Sequence, residues 1–449
     1  MYDLANQSFT LLITTLFFGL YFKRVIVGEG DGRGDLLWGR SFAIASLIVV
    51  LTSPVLGALA DFSGRKKAFL TGLALACAVL TMALGLTGPG DIALAMALYI
   101  AANVAFMSGE NFLAAFLPEI ATRDTLGRVS AIGWTMGYLG AILCLPVALL
   151  IPGLRAQTEP GFRWLFVFAG AWFLLNATPT MLLLKERKAP ENLPPGQTLW
   201  TIGFARVAST VRQTGRYRQL ALFLLAFTIY CCGMQVIIVF SGIIAAQYLS
   251  VPALVGFVFV LAIVSAAGSA VAGLVQDRTG QRLTVQVSLL VWIATSVGAA
   301  LLPERDASMV HLALVGVGIG LGLGVTGPAS RALVGALTPA HKTAEFFALW
   351  GLGYKVGGII GPLLYGLARA GAGQSLGMAL VGLFFVVGLI GTAFVDVAAG
   401  RRAAEESERE HRAEIDARDL AAAARLGTAD LRSVREQASG NDAQATPKG

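Results

Sequence analysis

Charge is scarce in this sequence. Asp, Glu, Lys and Arg make up 14% of its 449 residues, where a globular protein carries about 25%. Apolar residues make up 56%, and mean hydropathy is +0.70. Most of the surface must therefore face something other than water, which excludes an ordinary soluble chain. Cysteine stops at four. Cys77, Cys144, Cys231 and Cys232 all lie inside apolar runs, show no zinc spacing or disulfide framework, and read as small hydrophobes. No G-x4-G-K-[ST] loop, H-E-x-x-H helix or G-x-S-x-G elbow occurs, so the known routes to ATP hydrolysis, zinc proteolysis and acyl transfer lack their residues. No catalytic residue, metal or cofactor is expected, and the chain does not read as an enzyme.

What is abundant is long apolar runs. A run of 18 or more residues with few charges can cross a hydrocarbon core of about 30 Å as a helix. Twelve such blocks occur, at about 4–27, 37–60, 68–87, 92–117, 129–151, 163–184, 219–248, 252–275, 283–302, 309–333, 345–368 and 374–397. They do not alternate as barrel strands would, so the expected class is an all-α membrane protein of twelve transmembrane helices. The first block has no basic leader before it and reads as an uncleaved span.

The basic residues orient the chain. Loops two–three, four–five, six–seven, eight–nine and ten–eleven hold 16 Lys and Arg, against 8 on the other side, and the tail adds 9 to the first group. The positive-inside rule then places both termini in the cytoplasm of an inner (cell) membrane protein. The net charge of +7 follows from that bias and implies membrane lipid as a partner, with no nucleic acid. The expected units are a six-helix bundle over 1–184, a linker over 185–218 with an interfacial helix, a second bundle over 219–398, and a charged cytoplasmic tail over 399–449, a solvated helix with a disordered end.

One phrase occurs twice. "GALADFSGRKK" ends the second block and "GLVQDRTGQR" ends the eighth, so Gly57, Asp61 and Gly64 match Gly273, Asp277 and Gly280 at an offset of 216. "WTMGY" at Trp134–Tyr138 and "WGLGY" at Trp350–Tyr354 repeat at the same offset. A duplicated six-helix unit follows, of the kind that rocking transporters use. In the phrase itself, Gly57 lets a neighbouring helix come close, Gly64 allows a tight turn, and Asp61 can pair with Arg65 or meet a helix N-terminus.

The pattern G-x3-D-x2-G-[RK]-x-[RK] between spans two and three resembles the signature of the major facilitator superfamily, with Gln281 replacing the first base in the second copy. "YDLANQSF" (Tyr2–Phe9), "FLAAFLPEIATRDTLGRVSAIGWTMGYLG" (Phe112–Gly140) and "SRALVGALTPAHKTAEFFALWGLGYKVGGIIGPLLYG" (Ser330–Gly366) resemble one branch of it, the fungal vacuolar amino-acid effluxers and their bacterial relatives. The resemblance implies two pseudo-symmetric six-helix bundles, alternating access, and gating roles for Asp61, Asp277 and Asp3.

Charges inside a bilayer cost roughly 2.5–3.5 kcal/mol on insertion scales and mark function. Lys355 lies ten residues into span eleven, about 15 Å deep at 1.5 Å per residue; it is a candidate ligand for an anionic group. Glu110 in span four is a candidate proton carrier or counter-charge. Asn103 and Asn111 flank it, and Asn6, Tyr230, Gln235 and Tyr354 complete the expected cavity set. Arg331 and Glu345, at the inner ends of spans ten and eleven, read as gate anchors. Glycine stripes at Gly133 and Gly137 and at Gly353, Gly357 and Gly361 are expected at the seam between the halves. The expected function is secondary transport of a small polar solute, amino acid or related metabolite, by efflux with proton coupling in view, by a monomer. A drug or lipid extruder of the same fold stays open, as does a sensor or scaffold that signals through its tail.

Overall fold

A computed structural model describes residues 1–28, 33–116, 126–186, 198–302 and 307–425. The Pro-rich part of the linker and the polar end of the tail lie outside the described residues, as do the side chains of Asp61, Trp134, Tyr138 and Asp277. Among the described residues every regular element is a helix, because an apolar run in lipid must satisfy its own backbone polar groups. Among the described residues eleven helices are long and apolar enough to cross a membrane: Tyr2–Val27, Arg33–Leu59, Lys66–Leu86, Ile92–Ala114, Glu159–Leu183, Arg218–Ala245, Val251–Gln276, Gln281–Ala300, Met309–Leu337, Glu345–Gly371 and Gly373–Ala393. Helix Leu126–Ala148 stands in the place of the expected fifth span. Counting it, these are spans one to twelve.

Glycines in the left-handed region punctuate the chain. Gly64 (φ 60°) and Gly280 (φ 87°) turn the backbone at the ends of spans two and eight, at matching places in the repeat. Gly373 (φ 83°) alone separates spans eleven and twelve, which otherwise run on without a loop. Span one is wound over Ser8–Phe17 and Phe22–Val27 with the wider π-helical bonding.

The two halves repeat the same packing. In the first, span one lies on five, two on four, and three on four and six; in the second, span seven lies on eleven, eight on ten, and nine on ten and twelve. The halves meet where span two lies on eleven, one on seven, and five on eight. The glycine stripes, expected at that seam, instead serve packing inside each half. A Cβ at Gly137 would lie 3.2 Å from Gln7 Nε2, and one at Gly357 would lie 3.0 Å from the Cys231 carbonyl carbon. Span one thus beds on span five, and span seven on span eleven. Small residues bring together whichever backbones the fold stacks, and here those belong to one bundle.

Helix Leu199–Thr214 joins the halves and lies on span two, where a Cβ at Gly203 would be 2.5 Å from Pro54 O. The tail forms the helix expected of it, Val397–Arg425, exposed along most of its described length. Its first half docks on the second bundle. Ser407 is buried and shares a 2.6 Å hydrogen bond with Tyr217 Oη, Arg216 pairs with Glu410, and Arg401 Nη2 donates to Gln281 Oε1 at 3.0 Å. The rings of His341, before span eleven, and His411, on the tail helix, stack at 4.3 Å.

That stacked pair gives the docking a pH dependence. Burial first, then the charges of His411 and Lys342, hold the His341 imidazole below the ordinary value of 6.5, while Glu408 and Glu345 pull weakly the other way. A base held neutral in the docked state contributes its stability above its undocked pKa and loses it as pH falls below that value. Hydrogen-exchange protection across Val397–Arg425, meaning the intrinsic amide rate at each pH divided by the observed rate, is therefore expected to be high at pH 7.5 and lower at pH 5.5. His341→Gln, which removes the titrating imidazole, should flatten that difference; equal protection at both pH values in the unmodified protein would refute it.

Candidate functional site

The site is assembled from three helices of the first half and two of the second. Asn6 Nδ2 in span one donates to Glu110 Oε1 in span four at 3.3 Å. Asn111 is the next residue on span four and so points about 100° round the helix. Its Nδ2 donates to Ser53 Oγ of span two at 3.0 Å, and its Oδ1 accepts from Lys355 Nζ at 2.9 Å. Ser53 Oγ in turn donates a hydrogen bond to Val49 O at 2.6 Å. Lys355 comes from span eleven, so this chain of bonds ties one half to the other. Gln235 Nε2 of span seven donates to Tyr354 O at 3.4 Å, beside the lysine.

Glu110, four residues from the end of span four, is exposed, and Lys355, ten residues into span eleven, is half-buried. Both side chains line a cleft between the halves. Lys355 and Glu110 make no direct ion pair among the described residues; Asn111 takes the ammonium instead. Around them, Asn6 Oδ1, Asn103 Nδ2, Ser108 Oγ and Ser46 Oγ are buried without partners. Each orphan of that kind costs about 1–3 kcal/mol, so native proteins keep few of them without a use. The arrangement offers an acid and an amide on one wall, and a base and an amide facing them.

The cleft is shut on the face away from the termini. Trp38, fully buried, donates from Nε1 to Val239 O of span seven at 3.0 Å and packs on Tyr99 at 4.4 Å and Phe18 at 5.8 Å. A Cβ at Gly39 would lie 2.5 Å from Pro362 O, and one at Gly242 would run into Thr15 O, both across the seam. Arg24 Nη2 bonds Ala246 O at 3.0 Å, and its Nη1 bonds Gln157 Oε1 at 2.6 Å. On the face that carries the termini, Gly57 of span two and Gly351 of span eleven have nothing within 4 Å of a Cβ position.

Not every expected residue joins the site. Tyr230 is fully buried, with its hydroxyl on Ser330 Oγ at 2.6 Å and its ring against Phe227. Five residues separate it from Gln235, about 140° round a helix, so the two cannot share a face. Asp3 meets span five, its Oδ2 3.0 Å from a Cβ at Gly133. Arg331 lies over the Phe347 ring at 5.8 Å, and Glu345 is exposed at the start of span eleven. Arg65 is exposed, and its backbone N–H is held by Ser63 Oγ at 3.2 Å. Glu186, which the sequence does not single out, caps the start of span three: its carboxylate accepts from Lys66 N at 2.8 Å and Lys67 N at 3.5 Å. Lys23, Asp35 and Arg369 likewise escape the sequence. Opposite charges at the ends of spans two and eleven, which the repeat places side by side, were the available signal.

A family model described as "Vacuole effluxer Atg22 like" matches residues 40–405. An uncharacterized MFS-type transporter, YxiO of Bacillus subtilis, is 26% identical over 409 residues, covering 88% of this chain and 93% of that protein. The multi-drug resistance efflux pump PmrA of Streptococcus pneumoniae is 28% identical over 361 residues, covering 77% and 82%. The chain spans 57% of the length of autophagy-related protein 22 from Yarrowia lipolytica, which it also matches. Among solved structures, the xylose transporter XylE from E. coli superposes with a TM-score of 0.64 at 12% identity, covering 88% of this chain and 94% of that one. The family match, the repeated six-helix packing and the shared architecture together place the chain in the Atg22-like vacuole effluxer family, among the transporters of the major facilitator type.

Proposed function

We propose that the protein exports a small zwitterionic solute, an amino acid first, in exchange for protons, by rocking its halves about the Glu110–Lys355 cleft. The positive-inside bias assigns the terminal face to the cytoplasm of a bacterial inner membrane. The observation that carries the reading is that Glu110 and Lys355 face one cleft from opposite halves without pairing directly. An ammonium fits against Glu110 and Asn6, and a carboxylate against Lys355 and Asn111. A solute that bridges them draws the halves together, and Glu110 supplies a proton site on the same wall. The spans that close and open are those carrying the repeated phrase, and Gly57 and Gly351 are free to be covered when the terminal face shuts.

The test is flux into liposomes holding the purified protein and a pH dye, with pools of amino acids and then of other metabolites added. A pH change that needs one pool supports the reading; silence with every pool overturns proton-linked export. A drug or lipid extruder is the second reading. It is favoured by the likeness to PmrA and by the aromatic wall of Phe9 and Phe106, stacked at 4.8 Å close to the site. An amphiphilic dye that is exported equally with and without Lys355 would select it.

A further inference from the structure

At the closed face, Asp35 opens span two with its side chain wholly buried. Two cations share one of its oxygens. Lys23 Nζ of span one lies 2.7 Å from Oδ2, and Arg369 Nε at the end of span eleven lies 3.0 Å from the same atom. The other oxygen, Oδ1, has no partner. Arg369 is 9% exposed along its side chain, and its Nη1 donates to Tyr365 Oη at 3.0 Å. Lys23 belongs to the same half as Asp35, while Arg369 belongs to the other. The backbones are pressed together here as well, with a Cβ at Gly366 only 3.2 Å from Asp35 O and Leu36 Cα.

We propose that Asp35 is the latch of this face: it holds Arg369 while the face is closed and keeps Lys23 alone when the face opens. The asymmetry of the cluster suits that cycle. When the halves part, Arg369 moves into the opening cavity and regains water, while Asp35 stays neutralised by a lysine that travels with it. Neither half is left with an unpaired buried charge, the state that makes breaking a buried pair so costly. Taking away Asp35 has the opposite effect. It leaves Lys23 and Arg369 facing each other in a dry site, and their repulsion drives the face apart.

This rests on the alternating-access reading, yet its test needs no solute, so a wrong solute leaves it standing. Spin labels at Arg155→Cys and Gln247→Cys, both exposed and on opposite halves of this face, report its width by electron–electron distance measurement. The full chain is used in lipid nanodiscs, with the four native cysteines replaced. The unmodified latch should give one short distance. Asp35→Asn and Arg369→Gln should each move most of the distribution to a longer one, and Lys23→Gln should not, since it spares the bond between the halves. If Asp35→Asn does not fold, Arg369→Gln decides. An unchanged distance in Arg369→Gln, or equal lengthening in Lys23→Gln, overturns the latch.

Discussion

Lys355→Ala is expected to cut solute flux in proteoliposomes by roughly 30-fold or more, since removing one partner of a buried, hydrogen-bonded charge costs about 2–5 kcal/mol and 1.4 kcal/mol is tenfold. The loss has two parts. Asn111 Oδ1 loses the donor that reaches it across the seam at 2.9 Å, and the solute's carboxylate loses its cation. The fold itself should hold, because span eleven is seated on span seven through Gly357 and Gly361, away from the ammonium. Lys355→Arg is a sharper probe. It keeps the charge but presents a planar fork in place of a compact ammonium, so binding should weaken more than turnover. Wild-type flux in Lys355→Ala would remove the lysine from the mechanism and favour an amphiphilic cargo.

Glu110→Gln should abolish the solute-dependent pH change while leaving exchange of labelled for unlabelled solute in place. The amide keeps the size of the carboxylate, and its oxygen can still accept from Asn6 Nδ2. What disappears is the group that takes up and releases a proton, so only the coupled mode should fail. Glu110→Ala is less informative, because it also orphans Asn6, whose Oδ1 already lacks a partner. A pH change that survives in Glu110→Gln would move the proton path elsewhere.

The spans and the duplication were legible because both are written in one dimension. Apolar length gives a helix, and a fixed offset gives a repeat. Lys355, Glu110 and Asn111 were legible because charges and amides are rare inside apolar runs. Their partners were not, because Ser53 and Asn111 become neighbours only once spans two and four cross. Tyr230 went astray on helical phase, and the glycine stripes on which helix would lie against them. Asp35 and Arg369 stand at the mouths of spans, where a charge ordinarily means water. The docking of the tail was not legible because its charges dominate its sequence, while the small face that docks, Ala404 and Ser407, is nearly silent in composition.

The acid and the base of the cleft come from different halves, Glu110 from the first and Lys355 from the second. Halves of this kind are related by an axis along the membrane normal, so the pair is polarised within the plane of the membrane. A charge carried across the whole bilayer exchanges about 2.3 kcal/mol per 100 mV with the membrane potential. Rocking moves these two groups sideways, where that potential does almost no work on them. The empty transporter should therefore turn over at a rate indifferent to voltage. Any voltage dependence of export should report the net charge of what travels, solute and proton together.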